Sequence, residues 1–361
     1  MQIQSVKNPA IGKHGGESGF TTIEMFVAMM LFAIVIGSIY GLLEVGRSAR
    51  FNSLQSAETS QDVRVGLNTI GKDVLNAGVD FPNAGPLVPN GWLKNKLLIP
   101  PDPLSTGNNL TPVIAGFQLN TLVNTSVSPS VTVKTDQVTL ISTDNTFNGG
   151  LPLNITNMNV SSMQLVISPQ ITPPATQAQD NQVVNIGDLL FVNSATLGNG
   201  VICEVTDKGS NGRANNVIRI GPDPLGLNDL SSGPTGNMGR VGNPAGAQRI
   251  SMVTYHVVDD GSGQGTGILM RTVYGGADSS GNAIASTDQP LTFDVIAMTI
   301  RYALQDGTII ANPVDSQFPN IRQLSITLSV RSPKRNPKTN QPIIDTVTST
   351  FNARNLGYEK N

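Results

Sequence analysis

Gly19-Phe20-Thr21-Thr22-Ile23-Glu24 leads into residues 25–43, MFVAMMLFAIVIGSIYGLL, nineteen positions without a charged side chain. At about 1.5 Å per helical residue this run spans roughly 28 Å, the thickness of a bilayer core. Glu24 is the one acid at its head. A carboxylate inside a membrane costs about 2.5–3.5 kcal/mol on insertion scales, so its retention asks for a partner. Lys7 and Lys13 precede the run and Arg47 and Arg50 follow it, so charge asymmetry leaves the orientation open.

A glycine, an aromatic first residue, an acid at the fifth position and an apolar helix resemble the class III signal of type IV prepilins and pseudopilins. The resemblance implies cleavage between Gly19 and Phe20 by a prepilin peptidase and N-methylation of Phe20. It also gives Glu24 the role of assembly carboxylate, neutralising the amine of a neighbouring subunit. Two matched charges inside a helical bundle are tolerable where one alone is not. An ordinary secretory signal would need an A-x-A-like site, which the small residues near Gly37 and Ser38 provide only loosely. A plain uncleaved anchor would leave Glu24 snorkelling to the interface.

Beyond the span, Phe51, Leu54, Val63, Leu67, Ile70 and Val74 recur largely at three- and four-residue steps, predicting an amphipathic continuation of the helix. No proline interrupts residues 20–81, and Gly78 with Pro82 supplies a stop. Gly37, Gly41, Gly46, Gly66 and Gly71 are each expected to weaken this helix by about 0.8–1 kcal/mol. Pilins usually carry a helix-loosening proline at the position that Gly41 occupies here.

The 361-residue chain as a whole is rich in Gly (37) and Pro (23), only 13% charged, and has a formal net charge of −2. That composition suits short strands joined by turns and argues against a global pull on nucleic acid. Strands are predicted at 97–99, 137–142, 164–167, 189–192, 201–206, 217–220, 250–257, 268–274, 295–304 and 324–330. In the last, Leu324, Ile326, Leu328 and Val330 alternate with Ser325, Thr327 and Ser329. Residues 82–130 read as an irregular connection with short strands. The expected architecture is α+β, type IV pilin-like: a leader at 1–19, a long helix at 20–80 with its transmembrane part at 20–43, and an antiparallel β-rich head at 81–361. The amphipathic half of the helix is the natural cover for the sheet.

In the last third, the hairpin from Val253 to Gly267-Ile268-Leu269-Met270-Arg271, the segments 293–305 and 321–332, and Thr350-Phe351-Asn352-Ala353-Arg354-Asn355-Leu356 are similar to PilW-type minor pilins. Many pilins close a loop with a disulfide; here Cys203 is the single cysteine, so the fold must be held by burial. The resemblance implies a non-enzymatic minor pilin that helps initiate a type IV pilus near its tip, serving adhesion or twitching motility through the pilus. Its partners would be the peptidase, other minor pilins, the major pilin and inner-membrane lipid. The head would lie in the periplasm before assembly and on the cell surface after it. A J-type pseudopilin of type II secretion and an envelope-anchored β-rich adhesin are the alternatives.

No catalytic residue, cofactor or metal site is expected. His14 falls in the leader and His256 in a strand, which removes a paired-histidine site from the mature chain. Cys203 reads as an inert strand thiol and 259–267 as a flexible hairpin lacking P-loop or EF-hand spacing. Arg331, Lys334, Arg335 and Lys338 form a basic loop whose plainest reading is solvation, with no aromatic residues for nucleic-acid stacking. The segment 170–182 reads as a surface loop.

Overall fold

The computed structural model describes residues 19, 21–97, 107–159, 161, 163–167, 184–194, 200–207, 217–231, 236–241, 244–336 and 339–353. Its first element is one uninterrupted helix, α1 (Thr22–Asn76), of 55 residues, about 82 Å long. The helix ends where the sequence turns: the Ala77 N–H returns to the Val74 carbonyl, and Gly78 takes the left-handed φ of 78° while donating its N–H to Ile141.

The two halves of α1 live in different surroundings. None of the apolar window is buried, and Phe26, Phe32 and Leu42 are 62, 67 and 74% exposed. The buried residues are Gln55, Thr59, Val63, Gly66, Leu67, Ile70, Gly71 and Val74, a single stripe at helical spacing. Val63, Leu67, Ile70 and Val74 thus enter the core as the periodicity predicts, each contributing about 1.5–3 kcal/mol. Leu54 does not: it is exposed, Phe51 is half-buried, and the polar Gln55 and Thr59 take the upper contact, with the Thr59 hydroxyl satisfied by the Gln55 carbonyl.

The glycines also divide. Around Gly37, Gly41 and Gly46 there is open space, whereas a Cβ on Gly71 would lie 2.3 Å from the Phe351 ring and one on Gly66 would lie 2.7 Å from the Thr292 hydroxyl. Gly66 and Gly71 therefore offset their helix penalty by letting the sheet approach the backbone.

The strands of the head are β1 (Val113–Asn124), β2 (Val131–Thr143), β3 (Leu153–Asn159), β4 (Gln164–Ile167), β5 (Leu189–Ser194), β6 (Val201–Glu204) and β7 (Val217–Arg219), then β8 (Pro244–Asp259), β9 (Gly267–Tyr274), β10 (Ser286–Leu304), β11 (Ile309–Ile310), β12 (Ile321–Arg335) and β13 (Pro342–Asn352). Their pairings are antiparallel. β8 is shared by two sets: β13-β12-β10-β9-β8-β2-β1, which carries α1, and β6-β5-β8-β3-β4-β7, which encloses a second core around Leu165, Leu190, Val201 and Cys203. The protein is thus α+β, a long apolar N-terminal helix backed onto a large antiparallel head.

Leu324, Ile326, Leu328 and Val330 are all at most 2% exposed, as their alternation predicts. β10 exchanges partners near Asp294, whose φ is 54°: its first half pairs with β9 and its second with β12, with register shifts between. Such a bulged strand re-aims the sheet.

Three sequence expectations need correction. Residues 93–97 form a turn of π-helix rather than the start of a strand, and 98–99 lie outside the described residues. The irregular reading of 82–130 missed the twelve-residue β1, because a bulge between Gly116 and Asn120, with Gln118 at φ 51°, breaks the two-residue alternation. The Gln118 N–H is recovered by the buried Asp136 carboxylate, which also accepts from Ile300. Finally, β12 runs on through Arg335, so the basic segment is largely strand, and the terminal strand begins at Pro342 rather than near Thr350.

Helix and sheet are pinned by a polar contact. Asp73 accepts from Tyr255 at 2.6 Å and from Arg271 at 3.0 and 3.2 Å. Burial, followed by the neighbouring Asp73, pushes the Tyr255 phenol well up, so it remains a donor. Arg271 is the arginine of the predicted hairpin; Asp73, which the stripe flanks, carried no signal of its own.

Candidate functional site

At the head of α1, Thr21 and Glu24 close on each other. The Thr21 N–H and hydroxyl donate to Glu24 Oε2 at 2.9 and 3.0 Å, and the Glu24 N–H donates to the Thr21 hydroxyl at 3.3 Å. This reciprocal capping box satisfies donors that a helix start leaves orphaned. The carboxylate is therefore engaged within its own chain rather than isolated as the cost argument assumed. A Thr three residues before a Glu is the sequence signal for it.

Gly19 is exposed, and a Cβ there would meet nothing within 4 Å. Its φ is outside the left-handed range, so the fold itself makes no demand for glycine at this position. Phe20, the position of the expected cleavage and methylation, lies outside the described residues. Downstream, the apolar half of α1 is long and apolar enough to cross a membrane. The Ser38 hydroxyl in this half is satisfied by the Ile34 carbonyl at 2.8 Å, the arrangement an apolar surround requires.

Cys203 is fully buried between the strands of the second core; burial pushes its thiol far up, and its contact is with the Leu190 carbonyl. His256 is buried in β8, and burial holds its imidazole below the usual range. In the 259–267 hairpin, Asp259 accepts from Val123 of β1 and from Gly261, and Asp260 from Ser262 and Thr266, so both acids are occupied by the loop and the neighbouring strand. Among the described residues no cluster of three or more His, Cys, Asp or Glu has the geometry of a metal site. Arg331 turns inward to Asp294 and Gln264. Lys334 and Arg335 are exposed, while Lys338 and the 170–182 segment fall outside the described residues.

A group that sequence reading passed over is Glu204, at the end of β6. It is 0% exposed, and no donor meets either carboxyl oxygen at full hydrogen-bond geometry. Burial, followed by the facing Asp223, pushes its carboxyl up to about 9; the Leu225 N–H offsets this only in part. Protonation relieves the repulsion that a carboxylate would meet from Asp223. Around it, Asn228 bonds the Glu204 backbone at 2.9 and 2.7 Å and the Gly221 carbonyl at 2.8 Å, while Asp223 accepts from Leu227 and Asn228. Trp92 completes the clasp by donating to the Leu225 carbonyl at 2.8 Å. The arrangement fastens the 221–229 loop to β6.

No family model, no curated protein and no solved structure matches this chain.

Proposed function

We propose that the protein is a minor pilin of the PilW type, a non-enzymatic subunit with a type IV pilin-like fold that takes part in initiating a type IV pilus and sits near its tip. The observation that carries this reading is the division of α1: one half is buried by nothing among the described residues and suits a membrane or a bundle of like helices, while the other is built into the head. A subunit that moves from lipid into a filament needs that construction. The exposed Gly19, which the fold does not require, supports recognition by a peptidase, and Phe20 would become the methylated amino terminus.

In this reading the membrane stores the subunit in the inner membrane with its head in the periplasm. The leader blocks premature packing, and cleavage frees an amine for a neighbouring subunit's carboxylate. Glu24 supplies the corresponding carboxylate of this chain, exchanging its Thr21 contacts for the neighbour's charge. The head meets other minor pilins and, through them, the major pilin.

Gly19→Val tests the first step. A branched side chain should block the peptidase's backbone approach and leave full-length protein in the membrane, while the fold, which has open space at that position, is unchanged. Normal removal of residues 1–19 from this variant would overturn the reading.

A further inference from the structure

The segment of α1 that emerges from its apolar half meets the tip of the β12–β13 hairpin. Asn336, the first residue after β12, donates its amide to the Asn52 side chain at 2.8 Å. Asn52 lies nine residues beyond Leu43, about 14 Å along the helix from the end of the uncharged run. The polar zone of one leaflet is about 5–7 Å deep, so the hairpin tip sits just above the headgroups when the run is embedded. Four exposed cations converge on this level: Arg47 and Arg50, one turn apart on α1, and Lys334 and Arg335 at the end of β12.

None of the four is in an ion pair among the described residues. Nearby acids are Glu44, on the membrane side, Glu58, which accepts from Gln55, and Asp345, which accepts from Ser60. In a chain of net charge −2, this is a local excess of positive charge.

We propose that Arg47, Arg50, Lys334 and Arg335 form a collar that binds the phosphates of anionic lipid headgroups and holds the head at a fixed height and tilt on the bilayer. The inference rests on the membrane reading of the apolar half of α1 and does not require filament assembly. Charge complementarity selects the occupant: phosphates lie within a Debye length, about 8 Å, of long flexible cations tethered above them. Each cation near such a surface favours contact by roughly fivefold, so four make the docked orientation dominant. The collar also gives the hairpin contact at Asn52 a purpose, since it brings strand-borne cations level with the helical pair.

The test uses the full chain in nanodiscs, labelled with a fluorophore at Thr339→Cys, an exposed hairpin position; Cys203 is buried and escapes labelling. Quenching by headgroup spin-labelled lipid should be about twofold stronger in discs containing phosphatidylglycerol than in phosphatidylcholine alone. It should fall to the phosphatidylcholine level in high salt and toward it in Lys334→Gln/Arg335→Gln, both exposed, where glutamine keeps a donor for the Asn340 carbonyl that Arg335 meets at 3.3 Å. Equal quenching in both lipids, or an unaltered double variant, would overturn the collar. A DNA duplex bound through the same two cations, with quenching indifferent to lipid charge, would assign the patch to nucleic acid instead. Failure of the chain to enter discs at all would remove the membrane reading and this inference with it.

Discussion

Glu24→Gln is expected to enter the membrane, lose residues 1–19 and then fail to appear in surface filaments. The substitution separates two roles that the structure superimposes on one side chain. A glutamine at this position still accepts from Thr21 and keeps the capping box, so helix α1 begins as before. It removes the charge that a neighbouring amine would meet. If capping alone explained Glu24, the glutamine variant would assemble normally. If pairing explains it, filament recovery should drop by tenfold or more, since losing one member of a buried charge pair costs about 3–5 kcal/mol. Glu24→Ala should fail equally and add a capping loss of about 1 kcal/mol, while Glu24→Asp should retain part of the activity. The comparison is read by immunoblotting sheared filaments against the membrane fraction.

The second large effect concerns stability. Glu204 titrates near 9 in the folded protein and near 4.5 when exposed, so folding favours its protonated form. Its contribution is complete below about pH 4.5 and is lost progressively as pH rises to about 9, at up to about 1.4 kcal/mol per pH unit. Glu204→Gln cannot ionise and keeps a donor toward Asp223. The variant should therefore be more stable than the parent above neutrality, with the gap widening between pH 6 and 9 and levelling beyond. Replacing a fully buried acid would then stabilise the head by several kcal/mol at alkaline pH, an order-of-magnitude figure from the same linkage. Denaturant unfolding of both proteins in detergent, at pH 6, 7.5 and 9, reads this directly; parallel curves would show that Glu204 is already ionised in the fold.

Much of the architecture was legible because two simple periods survive in the chain. The stripe from Val63 to Val74 reads at helical spacing, and Leu324 to Val330 reads at two, because each lies against a single uninterrupted apolar layer. β1 failed to read because its bulge at Gly116 to Asn120 is repaired by Asp136, a partner remote in sequence. Leu54 misled for a related reason. The helix emerges from the head at that level, and the sheet meets Gln55 and Thr59 instead. Spacing gives the face of a helix but not the point where its cover ends.

At the candidate site, Gly19 and Glu24 stood out from sequence because a membrane run makes any charge or special residue conspicuous. Their local geometry was less visible, although Thr21 supplied the capping-box spacing. Glu204 was silent: in Val201-Ile202-Cys203-Glu204-Val205 it reads as an ordinary strand acid, and only the return of the Asp223 loop shows that it is enclosed. Asp73 was equally silent until Arg271 and Tyr255 came together across the sheet.

The measurement that bears most directly on the proposed role is the mass of the amino-terminal peptide of the wild-type protein, taken separately from sheared surface filaments and from membranes. The account predicts that the filament form begins at Phe20 with a methylated amine and that residues 1–19 are absent from it. Protein recovered only from membranes, still carrying residues 1–19 or cut beyond the apolar run, would contradict it.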